Sequence, residues 1–167
     1  MPDRIDIDIV SVWSAIMTRL QTALSLSADT CFWWLDDNDP PPPSANSSLF
    51  ITVSPDGGTF DPGFQESGGS KQVTVETAIR VTVHSTSRLG TGMRDDEFLT
   101  NASGLGPMLT NVISALVDFD PVFGIGANPV LRAKMDVQGF EKPYRNQNDS
   151  IGGVTVVFGV SFDWLIS

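Results

Sequence analysis

Residues 73–84, VTVETAIRVTVH, alternate without a break: Val73, Val75, Thr77, Ile79, Val81 and Val83 fall on one side, and Thr74, Glu76, Ala78, Arg80, Thr82 and His84 on the other. An extended chain has a two-residue period, so the segment reads as a long strand with one face toward a core. The chain closes on a second such pattern, GGVTVVFGVSFDWLIS. Here Val154, Val156, Phe158, Val160, Phe162 and Trp164 share a face, and Gly152 and Gly153 lead into it. Two long strands with apolar faces require a further layer to cover them.

Two amphipathic helices can supply that layer. Between Ile5 and Leu24, the positions Ile9, Val12, Trp13, Ile16, Leu20 and Leu24 follow helical spacing, and Asp3, Asp6 and Asp8 lie where carboxylates favour the positive end of a helix dipole. In GLGPMLTNVISALVDFD, Leu105, Met108, Leu109, Val112, Ile113, Leu116 and Val117 repeat that spacing. Asn101 or Ser103 is available as a cap, Pro107 suits a first turn, and Asp120 with Pro121 ends the helix. LFITVS (49–54) reads as a short strand antiparallel to the 72–85 strand, and VLRAKMDVQGF as a weaker one after a glycine-rich turn, PVFGIGANP. The expected fold is α+β. It is a single domain over 1–167, a mainly antiparallel sheet of about four strands with both helices on one face. A proline- and acid-rich insertion at about 36–48 and a glycine-rich loop at about 55–72 interrupt it. The other face, with Glu76, Arg80, Thr82, His84, Ser161 and Asp163, is polar enough for solvent or a partner.

The formal charge is -10, with no lysine or arginine between Arg19 and Lys71. That sign opposes any affinity based on neutralising nucleic-acid phosphates. Cys31 is the only cysteine and sits in the apolar string CFWWL, so it reads as a buried, inert thiol. The N-terminus lacks a secretory-signal pattern, and no apolar run approaches the roughly 20 residues that span a bilayer. A soluble protein made in a reducing compartment, with no membrane contact, is the expectation.

The chemically richest stretch is HSTSRLGTGMRDD (84–96), which holds the only histidine. A hydrolase would need a nucleophile, a base and an orienting acid, and His84, Ser85, Ser87, Asp95 and Asp96 offer those types. No G-x-S-x-G elbow occurs, however, and neighbours on an extended chain point to opposite sides. His84 therefore reads as a strand-end polar residue, and no catalytic residue is assigned. No metal site is assigned either, because Asp36, Asp37 and Asp39 lack calcium-loop spacing. Gly104, Gly106, Gly124 and Gly126 are too isolated to cradle a phosphate, so no cofactor is expected. Phe32, Trp33 and Trp34 read as packing rather than nucleobase stacking, given the acidic surroundings. Pro40 to Pro43 read as a stiff surface loop.

The order of a helix, a hairpin with a long loop, IRVTVHSTSRLGTGMRDDEFLTNASGLGPMLTNVISALVDFD followed by Pro121, and a last strand ending GVSFDW resembles the tail terminator or tail-completion proteins of long-tailed bacteriophages. The resemblance covers most of the chain, apart from the proline-rich insertion. It implies a virion protein of the tail or neck, made in the host cytoplasm, whose copies form a hexameric ring. Such a ring caps the tail-tube protein and joins the head-tail connector or stopper, and DNA passes through without specific binding. Arg80, Arg88, Arg94, Asp95 and Asp96 are then candidates for the interface between subunits, with Asp36, Asp37 and Asp61 as acids the arginines could meet. A negative lumen would let a duplex slide. A second neck role, head closure, fits the same features. A small hydrolase using His84 and an acidic module that recruits a partner through its prolines belong to other classes.

Overall fold

A computed structural model describes residues 9–35, 49–61, 66–67, 70–85, 99–100, 104–117, 119, 122–125, 128–146 and 151–166. The fold is α+β. Helix α1 (Ile9–Leu24) is followed by β1 (Cys31–Trp33), β2 (Leu49–Asp61), β3 (Glu66–Ser67) and β4 (Ser70–Ser85). Helix α2 (Leu105–Leu116) then leads to β5 (Val122–Ile125), β6 (Asn128–Phe140), β7 (Tyr144–Asn146) and β8 (Ile151–Ile166). The strands form one sheet in the order β1-β2-β4-β8-β6-β5, with β3 beside β4 and β7 beside β8. Every pairing is antiparallel except β1 with β2. A parallel neighbour requires a long crossover, and residues 34–48, with the four prolines, are the chain available for it.

The expected four strands correspond to β2, β4, β6 and β8, and the sheet is larger than that. The glycine-rich stretch at 55–72 was expected to be loop. Instead β2 runs on to Asp61, paired with β4 as far as Thr74, and β4 begins at Ser70. The extension passes through a β-bulge between Asp56 and Gly58. A Cβ on Gly58 would lie 2.6 Å from the Glu76 carbonyl oxygen, so only glycine permits this approach. PVFGIGANP, expected to be a turn, contains β5, which pairs with the start of β6.

Both helices lie on one face. Val12, Ile16 and Leu20 of α1 and Leu105, Val112 and Leu116 of α2 are buried in one cluster with Ile51, Val53, Ile79, Val81, Val83, Val156 and Phe158. Each such side chain contributes about 1.5–3 kcal/mol by leaving water. Helical spacing and strand alternation deliver their apolar residues to the same layer, and the two patterns read in the sequence meet there. The Arg19 Nε of α1 donates to the Ala115 carbonyl oxygen at 2.9 Å, and its guanidinium carbon lies 5.5 Å from the centroid of Phe119. A cation thus satisfies a carbonyl at the negative end of α2 and ties the helices together. The N-cap of α2 is Gly104, with no side-chain cap, rather than Asn101 or Ser103, which lie outside the described residues.

Helix α1 ends in a Schellman motif: Ser25 N–H donates to the Thr22 oxygen and Leu26 N–H to the Gln21 oxygen. Ser25 holds the left-handed conformation this requires, at φ 53°. A non-glycine residue is disfavoured there by roughly 1–2 kcal/mol, partly offset by the greater unfolded-state freedom of glycine. Ser25→Gly is expected to raise stability by about 0.5–1 kcal/mol, measured as a higher denaturant midpoint at unchanged slope.

Candidate functional site

The face opposite the helices is divided in two. At one end Phe50, His84, Gly153 and Tyr144 stand directly opposite one another across β2, β4, β8 and β7. The His84 ring stacks on Phe50 with centroids 4.7 Å apart, and Phe32 of β1 stacks on Phe50 at 6.1 Å. Gly153 makes room for the row, because a Cβ there would sit 2.9 Å from the Tyr144 ring. The next row carries Thr52, Thr82 and Thr155, with the Thr82 and Thr155 hydroxyls 2.8 Å apart.

The imidazole of His84 is held at both nitrogens. Nε2 lies 2.8 Å from the Thr52 hydroxyl, and Nδ1 lies 3.4 Å from the Tyr144 hydroxyl. A neutral ring accepts at one nitrogen and donates at the other, which suits two hydroxyls. Only 4% of His84 is exposed, and burial lowers its pKa to about 4. Ser85 is buried on the opposite face of the strand, in register with Leu49 and Gly152. This geometry makes His84 a residue that fixes strand register, with no open approach for a substrate to its ring. Ser87, Asp95 and Asp96 lie outside the described residues.

The other end of this face is open and acidic. Asp56, Asp61, Glu76 and Asp136 are exposed, and the half-buried Asp163 accepts a 2.8 Å hydrogen bond from the Thr74 hydroxyl. Arg80, a candidate for the interface between subunits, has its guanidinium 2.6 Å from the Glu141 carboxylate of the same chain, because residue 141 follows β6 across β8 from Arg80. At this exposure the pair contributes at most about 1 kcal/mol. Asp61 is exposed at the end of β2. Arg88, Arg94, Asp95, Asp96, Asp36 and Asp37 lie outside the described residues.

Among the described residues, hollows flank the helices. One, of about 420 Å³, lies between α1 and α2 beside Arg19, whose guanidinium is committed to Ala115 and Phe119. Another, of about 290 Å³, lies between the start of α1 and the extension of β2, walled by Ile9, Trp13, Pro55 and Val75. Cys31 is buried with its thiol directed at Met17 Sδ, 3.7 Å away, and burial pushes its pKa up to about 12. The thiolate needed for reaction is therefore scarce at neutral pH. Among the described residues no group of three His, Cys, Asp or Glu side chains converges on a common point. Among them, too, no helix is long and apolar enough to cross a membrane. Comparison with protein-family models and with curated proteins returns no match for the chain.

No local pattern marks the Phe50–His84–Tyr144 row, because its members are distant in the chain and Tyr144 lies outside any strong alternation. The partial signal was Gly152–Gly153: a glycine inside a strand pattern marks close approach by another group.

The lowered pKa of His84 has a defined consequence for stability. Unfolded, His84 binds a proton near its ordinary value of 6.5, and folded only near about 4. Between these values the unfolded chain holds more protons, so stability is fully present above 6.5 and is lost as pH falls toward 4. The expected loss is on the order of 3 kcal/mol. His84→Phe, which has nothing to titrate, should show a shallower fall over that window when both proteins are unfolded by denaturant at a series of pH values.

Proposed function

We propose that the protein is a structural virion component of a long-tailed phage or prophage element, a tail terminator or tail-completion subunit. It acts as one copy of a homo-oligomeric ring, hexameric in the proteins it resembles, that caps the tail tube and meets the head connector. The observation that carries the reading is the arrangement of the fold. A first helix and a β2/β4 pair with a long extension precede a second helix, and the last long strand lies at the centre, with both helices on one face. Of this arrangement, the order of the elements and the placing of both helices on one sheet face are what the sequence resemblance implies.

The surface chemistry supports the same reading. A subunit in a ring needs faces with distinct roles, and here one sheet face is covered by helices while the other has an open acidic half. An acidic surface beside a DNA path avoids the phosphate contacts that would hold a duplex in place. The confinement of His84 within a packed row also favours a structural role over the hydrolase alternative.

The test is electron microscopy of particles assembled without this protein. Overlong or headless tails are expected for a terminator. Filled but leaking heads would transfer the assignment to a head-closure protein, and normal infectious particles would overturn the neck and tail reading altogether.

A further inference from the structure

The two edges of the sheet carry complementary surfaces. Beyond residues 51–53, which pair with β1, the outer edge of β2 has no strand neighbour among the described residues. Between this edge and the start of α1 lies the hollow of about 290 Å³, with Ile9, Trp13, Pro55, Gly57 and Val75 in its wall. Asp56 lines it as well, and Asp61 is exposed farther along the strand.

At the opposite edge, β5 pairs only with residues 128–132 of β6, and no described strand covers β6 beyond them. On the helix side of this edge Val137 is 37% exposed and Phe140 66% exposed. A bulge between Val137 and Gly139 brings both onto the same face, since they pair with Phe158 and Val156 of β8. Two cations border the same edge: Lys134 is exposed on the opposite face, where it stands in register with Ser161, and Lys142 is exposed two residues beyond Phe140. Of the acids on this edge, Glu141 is paired with Arg80, and Asp136 is the remaining exposed carboxylate. The edges are also level: Pro55, Ile79, Phe158 and Val137 form one row across the sheet.

We propose that the occupant of the β2-edge hollow is a second copy of this chain, which inserts Phe140 and Val137 and sets Lys134 and Lys142 against Asp56 and Asp61. The two surfaces differ from each other, so the contact is head to tail, the type of interface that continues from copy to copy and closes only by rotation. Docking occurs through side chains rather than by extension of the strand ladder, because Pro55 has no N–H and both edge strands are bulged. For its biological setting the inference rests on the ring-subunit reading, and for its geometry it rests on the two edges.

Two substitutions at open positions test it. Phe140→Asp removes the inserted ring and places a carboxylate against the acidic edge. Gly57→Glu projects a further carboxylate into the hollow, and a side chain at Gly57 meets nothing within 4 Å of its Cβ, so the fold has room for it. Native mass measurement over a concentration series should show oligomers for the unaltered chain that weaken with salt. Each variant alone should be monomeric, with the thermal midpoint that the unaltered chain has at dilutions where it too is monomeric. An equimolar mixture of the two should form dimers with one copy of each and nothing larger, because each variant retains the surface the other has lost.

A monomeric unaltered chain at all concentrations would overturn the proposal, as would oligomers indifferent to both substitutions or a mixture that fails to pair. In the first case a different protein, or another segment of this chain, would be the occupant. These outcomes are separable from failure of the functional reading. Normal particles made without the protein would refute the neck assignment while leaving the head-to-tail contact intact, and a monomeric chain whose loss gives overlong tails would do the reverse.

Discussion

The ladder between β4 and β8 is the constraint on which the rest of the molecule depends. The two strands pair without a register shift from Lys71 with Ile166 to Ser85 with Gly152. Because side chains alternate strictly, this one register sends Val75, Ile79, Val81 and Val83 to the same face as Phe162, Phe158, Val156 and Val154. A slip by a single residue would bury Glu76, Arg80 and Asp163 and expose the core valines. With that face fixed, the two helices have one apolar surface to cover, and β2 and β6 add to the outer sides of the pair.

The same register creates the polar side of the sheet and divides it. Where β4 and β8 contribute His84 and Gly153, the absence of a side chain at 153 admits the Tyr144 ring, and the imidazole between Phe50 and Tyr144 finds a hydroxyl for each nitrogen. Where they contribute Glu76, Ser161 and Asp163, no aromatic ring among the described residues crosses the strands, Glu76 is exposed, and Asp163 accepts a hydrogen bond from Thr74. Buried polar groups must be paired, while exposed ones need not be, which explains why the only histidine is held at both nitrogens although the acids outnumber their partners.

Much of this was legible in the sequence, for a local reason. The two helices and the strands at 72–85 and 153–164 each carry a period that a short window can detect, and together they define the α+β layering. The extension of β2 was not legible, because Pro55, Asp56, Gly57 and Gly58 are turn formers by composition. They enter a strand only through the bulge and through pairing with β4, some twenty residues away. The strand at 122–125 was hidden by Gly124 in the same way. The interface arginines show the limit for sites. Residue type marked Arg80 as a candidate to pair across subunits, but only the tertiary fold brings Glu141 within reach of it.

The bulges at the two edges give the open strands a further meaning. A flat edge with free N–H and C=O groups would accept any extended chain, which leads to aggregation. Here Pro55 removes a donor, and the irregularities at Asp56–Gly58 and Val137–Gly139 twist the ladder on both outer strands. Backbone recognition is thereby blunted on each side, and what remains to be read is the shape and charge of side chains: a hollow bordered by carboxylates on one edge, and an aromatic ring and ammonium groups on the other. Discrimination by such surfaces depends on the geometry of one partner, whereas a bare strand edge imposes no such condition. The glycines that complicate the strand pattern in the sequence are therefore part of what makes these edges selective.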